Sequence, residues 1–189
     1  RYFVDFNFGY NGSENFAAGH QFGFFPAYSI AWNMAEESFI KEKSPWINMF
    51  KERYSYGKVG NDNMERRFPY LSTFGASNNY NYADLGQNYQ FDGLTYTYYA
   101  TWEIATKHDV GVDFSLFNDK LTGTIDYFHE QRDGIYQERN YIPLSVGMYG
   151  TGTGMKLSTN IGSVVSKGFD GNWGYKQRIG DVNLTLRGN

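Results

Sequence analysis

The feature that most constrains this chain is an alternation of apolar and polar residues with a period of two, which recurs along much of its length. Successive side chains of a β-strand point to opposite faces, so this period is typical of strands with one apolar face and one face in water. The clearest example is a pair of runs joined by Asn118-Asp119, which predicts a hairpin of two long strands. The shared apolar face of the two runs consists of Val110, Val112, Phe114, Leu116, Leu121, Ile125 and Tyr127.

The same alternation elsewhere predicts about seven strands and no sustained helix. These runs cover residues 1–10, 22–34, 51–60, 102–116, 121–130, 169–176 and 182–187. Residues 35–50 break the alternation, and we expect short helical turns at 36–40 and 45–50. The connections at 61–100 and at about 138–162 are long, whereas those at 118–119 and 177–181 are short.

The composition agrees with an all-β protein and excludes several other classes. Aromatic residues make up 20% of the chain, and its 22 Gly stand against only 4 Pro, which favours strands and turns. No run approaches the roughly 18 apolar residues of a membrane-spanning helix. The net charge of −3 and the lack of a basic run argue against nucleic acid as a partner. The absence of cysteine excludes a disulfide framework.

Alternation alone permits two architectures. A transmembrane β-barrel needs an apolar band about 25 Å tall with aromatic girdles, a polar interior, and long loops at one end with short turns at the other. A secreted, soluble β-sandwich that binds carbohydrate would instead pack its apolar face on a second sheet. Bacterial single-chain barrels have an even number of strands. If the chain forms a barrel, its seven strands are therefore expected to be part of a larger one.

The polar residues do not suggest an enzyme, a metal site or a cofactor site. His20, His108 and His129 are far apart in the sequence, and the last two fall on the apolar face near the expected edge of the band. Asp109 and Asp113 share a strand face without a base or nucleophile, and we interpret them as facing a water-filled lumen.

Binding is the chemistry that remains, and its candidates are aromatic residues of the long connection at 61–100. Aromatic rings stack on sugars or on apolar peptide side chains. Alternatively, these rings pack against one another and order a long surface loop. The candidates for contact with substrate or partner are Tyr80, Tyr82, Tyr89, Phe91, Tyr96 and Tyr98.

Several short motifs, in this order and spacing, resemble the barrel region of SusC/RagA-type TonB-dependent outer-membrane transporters of Bacteroidetes. They include Phe24-Phe25-Pro26, Glu36-Glu37-Ser38-Phe39, Tyr54-Ser55-Tyr56-Gly57, Trp102-Glu103, Asp126-Tyr127-Phe128 and Asn160-Ile161-Gly162. The chain departs from the family pattern at 98–101, before Trp102-Glu103, and at 170–172.

This resemblance implies a location in the outer membrane of a Gram-negative bacterium. Residues 1–189 would be part of one barrel domain of about 22 strands, and the plug domain would lie outside this chain. The resemblance further implies active import driven by TonB through the plug, with a SusD-like surface lipoprotein as partner. The expected substrates are oligosaccharides, with peptides as the second choice, and the expected surroundings of the apolar face are membrane lipid.

Overall fold

Seven long strands form one antiparallel sheet in the computed structural model, which describes residues 1–64, 67–71, 73–74, 79–81, 88–90, 94–97, 100–139 and 156–189. The strands, numbered in chain order, are β1 (Tyr2–Gly12), β2 (Phe22–Asn33), β3 (Ile47–Asn61), β8 (Glu103–Leu116), β9 (Leu121–Arg139), β10 (Lys156–Ile179) and β11 (Val182–Gly188). Each pairs with the next in this order. The predicted all-β fold with seven strands is confirmed.

Four short strands lie in the connection between β3 and β8. They are β4 (Thr73–Phe74), β5 (Asn79–Asn81), β6 (Asn88–Gln90) and β7 (Leu94–Thr97). β5 and β6 pair with each other, while β7 pairs with β4 and runs parallel to the start of β10. The helical content described is a 3₁₀ turn, Met34–Glu36, and one short helix, α1 (Ser38–Lys43). Over the described ranges, no helix combines the length and the apolar character needed to cross a membrane.

The β8–β9 hairpin forms as its sequence predicts. Register pairs join Leu116 to Leu121 and Val110 to Tyr127, so the apolar residues of both strands share one face. In the turn, Phe117, Asn118 and Asp119 all adopt positive φ. Asn and Asp tolerate this conformation better than most residues, which explains their place at the tip.

Three predicted boundaries are wrong. Residues 45–50 do not form a helical turn, because β3 begins at Ile47 and Phe50 pairs with Phe114. The connection after β9 is shorter than predicted, since β9 extends to Arg139 and β10 starts at Lys156. The last turn is also shorter, with β10 continuing to Ile179.

The sheet has one apolar face that no described element covers. A soluble sandwich would bury this face against a second sheet. The described residues supply no such second layer, so they do not form the sandwich that was the alternative. Side chains on this face with 40% to 79% of their surface exposed include Tyr2, Val4, Phe6, Phe8, Tyr10, Phe22, Phe24, Tyr28, Ile30, Val110, Ile125, Val165, Phe169, Trp173, Ile179, Val182, Leu184 and Leu186.

The band of apolar residues on this face crosses the strands obliquely. Through the register of the intervening strands, Phe169 on β10 lies in line with Val4 on β1. On β10 the charged Lys167 interrupts the band directly after Phe169, with the single apolar Val165 beyond it, whereas on β1 the band continues unbroken to Tyr10, six residues beyond Val4. Over five strand steps, with a rise of about 3.3 Å per residue and a spacing of about 4.8 Å, this offset corresponds to a strand tilt of about 40°. Such a tilt is typical of transmembrane barrels.

Candidate functional site

The polar face of the sheet carries an ion cluster centred on Arg53, which we call the Arg53 cluster. Arg53 on β3 points over β8 and contacts three carboxylates on two strands. Its Nη1 lies 3.6 Å from Asp109 Oδ1, its Nε 3.3 Å from Asp113 Oδ2, and its Nη2 2.5 Å from Asp126 Oδ1. Asp109 and Asp113, which the sequence assigned to a water-facing strand face, therefore share a cation that the sequence did not single out.

Gly111 makes this geometry possible. It is the register partner of both Arg53 and Asp126, and it lies between them on β8. A Cβ at this position would lie 2.1 Å from Asp126 Oδ1 and 2.7 Å from Arg53 Cζ. The missing side chain is thus the space through which Arg53 reaches β9.

Further charges surround the cluster on the same face. Asp170 on β10 is the register partner of Asp126, and Lys51 is the register partner of Asp113. Two-thirds of the Arg53 side chain is shielded from solvent, so its ion pairs are partly protected from the screening that weakens surface pairs. The arrangement provides a wall of fixed charges and hydrogen-bonding groups, suited to hydration and to polar contacts.

At the end of the sheet from which the long connections leave, aromatic rings form a small buried core. Phe16, from the connection between β1 and β2, is fully buried, and its ring centroid lies 5.1 Å from that of Trp102. Phe25 on β2 packs edge-on against the same indole, also at 5.1 Å. The indole N–H of Trp102 donates to the carbonyl oxygen of Gln21. The ends of two long connections are thereby fixed to one another.

Asn160 on β10 clamps the same end. Its Oδ1 accepts from the Thr101 N–H at 2.9 Å, and its Nδ2 donates to the carbonyl oxygens of Thr101 at 2.9 Å and Gly134 at 2.6 Å. Gly134 has a positive φ, and a Cβ there would lie 3.3 Å from the carbonyl oxygen of Trp102. The clamp holds the start of β8 against β9 and β10.

At the opposite end, Glu37 ties the first two strands to the connection that follows them. Its carboxylate accepts from Arg1 Nη1 at 3.0 Å, from the Tyr2 hydroxyl at 3.1 Å and from the Trp32 indole at 3.2 Å. These contacts favour the charged form of the Glu37 carboxylate. The hydrogen bond from Trp32, followed by those from Tyr2 and Arg1 with the charge of Arg1, lowers the pKa of Glu37.

The residues assigned to binding and to lipid contact have different outcomes. All seven residues predicted to meet lipid, from Val110 to Tyr127, lie on the apolar face by strand parity and register. Tyr80 and Tyr89 are register partners in the β5–β6 pair, and Tyr96 lies in β7. Tyr82, Phe91 and Tyr98 lie outside the described residues. The binding role of these aromatics and the lipid contact of the seven remain predictions.

Comparison with known proteins gives curated relatives and solved structures, while no protein-family model matches the chain. The chain is 32% identical over 176 residues to TonB-dependent receptor P3 of Formosa agariphila. It is 27% identical over 172 residues to TonB-dependent receptor SusC of Bacteroides thetaiotaomicron. Each of these matches covers 90% of this chain but only 16% of the relative.

Two structures of RagAB, one described as a peptide importer and the other as a peptide transporter, share the fold. They superpose with TM-scores of 0.73 and 0.75 at 15% and 18% identity. The superpositions cover 98% of this chain and 20% and 19% of the matched chains. Relatives, fold and sequence motifs agree: the chain is similar to part of the β-barrel of the SusC/RagA-type TonB-dependent receptors of the Gram-negative outer membrane.

Proposed function

We propose that this chain forms part of the wall of an active importer that takes oligosaccharides, or alternatively peptides, across the outer membrane. The observation that carries the proposal is the two-faced sheet, whose exposed apolar band is tilted by about 40° and whose opposite face carries the Arg53 cluster. Such a sheet suits a wall between lipid and a hydrated path. The import activity is taken from TonB-dependent receptors, of which this chain spans about a sixth.

In this proposal the polar face keeps the transport path hydrated. Arg53 and its three carboxylates are held by one another, so they remain extended along the wall and offer fixed hydrogen-bonding sites to water or to a passing polar solute. No covalent chemistry is required of these residues. The same groups would face the plug domain when the transporter is closed.

The loop end would meet substrate and partner. The Phe16–Phe25–Trp102 core and the Asn160 clamp provide a rigid base, from which the aromatic-rich connection extends. Tyrosine rings in that connection suit stacking on sugars or on apolar peptide side chains. We further propose a SusD-like lipoprotein as partner at this end, and TonB as the source of energy through the plug.

Growth of the source bacterium tests the import activity and the substrate class together. We expect that deletion of the full-length gene abolishes growth on an oligosaccharide as sole carbon source and that complementation restores it. Growth on a monosaccharide is the control and should not change. A strain that loses growth on peptides alone would replace the oligosaccharide with the peptide alternative. If the deletion strain grew as well as the parent strain on both oligosaccharide and peptides, the proposal would be contradicted.

A further inference from the structure

A row of polar rings and one cation crosses three strands of the apolar face, and we call it the rim row. Its members are His108 on β8, His129 on β9 and Lys167 on β10. His129 is the register partner of both His108 and Lys167. The two imidazole centroids are 6.2 Å apart. On the β3 side, the Tyr56 ring packs edge-on against His108 at 5.0 Å, and the Tyr54 hydroxyl lies 2.9 Å from His108 Nδ1.

The rim row lies at the boundary of the apolar band. Two residues closer to the end of the sheet that carries the short hairpin turns, the same three strands have Val110, Tyr127 and Phe169 on this face. Phe169 is 77% exposed. Farther out on the same face, single apolar residues recur at Ile104 on β8 and Val165 on β10. Each member of the rim row is thus the first polar residue outward of the continuous apolar band, on the side from which the long connections leave.

The long connections of outer-membrane barrels are extracellular, so this boundary is expected to meet the outer leaflet. A molecule that covers both rows would need an apolar part over Val110, Tyr127 and Phe169 and a polar part over the rim row. Membrane lipid has this division, with acyl chains in the band and its head group at the boundary. The expected position of the site at the level of the outer leaflet therefore favours a lipid over a water-soluble ligand.

Charge decides which head group fits. Lys167 is exposed, and in the described part of the chain it makes no ion pair. The nearest carboxylate in the sequence of β9, Glu130, points to the polar face, where it pairs with Lys107 at 3.3 Å and with Arg132 at 3.0 Å. The rim row therefore presents an ammonium group and imidazole N–H donors, which suit a phosphate group.

We propose that the rim row binds the phosphate of a phosphorylated glycolipid in the outer leaflet, with acyl chains of this lipid lying over Val110, Tyr127 and Phe169. Lys167 supplies the charge, and His129 and His108 donate hydrogen bonds. Tyr54 and Tyr56 hold the His108 ring in place. The site rests on the membrane orientation proposed above, and it is distinct from the transport path on the other face.

Native mass spectrometry of the full-length protein in detergent, titrated with lipid A, tests this site. Loss of one lysine at a membrane surface is worth about 1 kcal/mol, so Lys167→Gln should weaken lipid A binding by about fivefold. His129→Gln should weaken it further in combination, whereas Lys167→Arg should retain it. The matched control is Lys107→Gln, which removes a lysine from the opposite face of the neighbouring strand β8.

Lipid A stripped of its phosphates is the second control. Two results together would support the site. The unchanged protein should bind the dephosphorylated probe only weakly, and lipid A binding should fall in Lys167→Gln but not in Lys107→Gln. Equal loss in Lys107→Gln, unchanged binding in Lys167→Gln, or equal affinity for the dephosphorylated probe would overturn it. Each variant is checked for a folded barrel by its resistance to unfolding in detergent. The import proposal is tested separately by growth, so either can fail without the other.

Discussion

At the scale of single residues, Gly111 and Arg53 show how one missing side chain organises a polar wall. Arg53 reaches Asp126 across an intervening strand only because Gly111 leaves the path open. The sequence places Asp109 and Asp113 on one face, since both follow from strand parity. It does not identify Arg53 as their partner, because that contact depends on the register between strands that are distant in the sequence.

We therefore expect Gly111→Ala to destabilise the barrel. The added methyl group collides with Arg53 and Asp126 and forces the ion pair apart, and overpacking of this kind costs about 1–3 kcal/mol. Chemical unfolding of the full-length protein in vesicles measures the effect. Gly57→Ala is the matched control, since its Cβ would lie 3.7 Å from the Ala27 Cβ in ordinary contact. Equal stability of the two variants would refute the steric role of Gly111.

At the scale of elements, sequence patterning predicts strands well where they are regular and fails at β-bulges. The β8–β9 hairpin has an unbroken register over its apolar residues, and its alternation is correspondingly clear. The missed start of β3 coincides with a register shift between Ile47 and Met49. The missed first part of β10 contains register shifts at Gly162, and after them the alternation is blurred because the neighbouring Val164 and Val165 are both apolar. A bulge adds one residue and reverses the parity, so a period of two is lost where the backbone ladder continues.

Glu37 also acts at the scale of elements, because it links β1, β2 and the segment after them. Its pKa is lowered in the folded protein, so its contribution to stability is fully present above the usual carboxyl pKa of about 4.3 and is lost as the pH falls through its lower folded value. Glu37→Gln should lower the unfolding temperature of the full-length barrel near neutral pH, and the difference from the unchanged protein should shrink in acid.

The control for Glu37 is Glu36→Gln, whose carboxylate contacts only the exposed Lys41 at 3.6 Å among the described residues. This variant should unfold near the temperature of the unchanged protein at every pH. A Glu37→Gln difference that stays constant from neutral to acid would show that shape, rather than charge, explains the role of Glu37.

At the scale of the whole molecule, the two faces of the sheet must lie in different solvents. The apolar band runs obliquely over β1 to β10, with a tilt of about 40°, and the opposite face of the same strands is mostly polar, with apolar residues such as Phe3 and Phe128 among its charged and amide side chains. The sequence predicts both faces, since each follows from alternation. The tilt requires the register, because the offset of the band from strand to strand is visible only when the strands are aligned.

The last prediction places these faces in the membrane. A fluorescent probe attached at Val112→Cys in the full-length protein should be quenched by brominated lipid, because Val112 lies on the apolar face within the band. The matched control is Thr124→Cys on β9, one residue before Ile125, which is the register partner of Val112. Thr124 lies on the polar face, so its probe should respond to a water-soluble quencher instead. The same response at both positions would contradict the assignment of one face to lipid and the other to a hydrated lumen, and with it the barrel wall on which the import proposal depends.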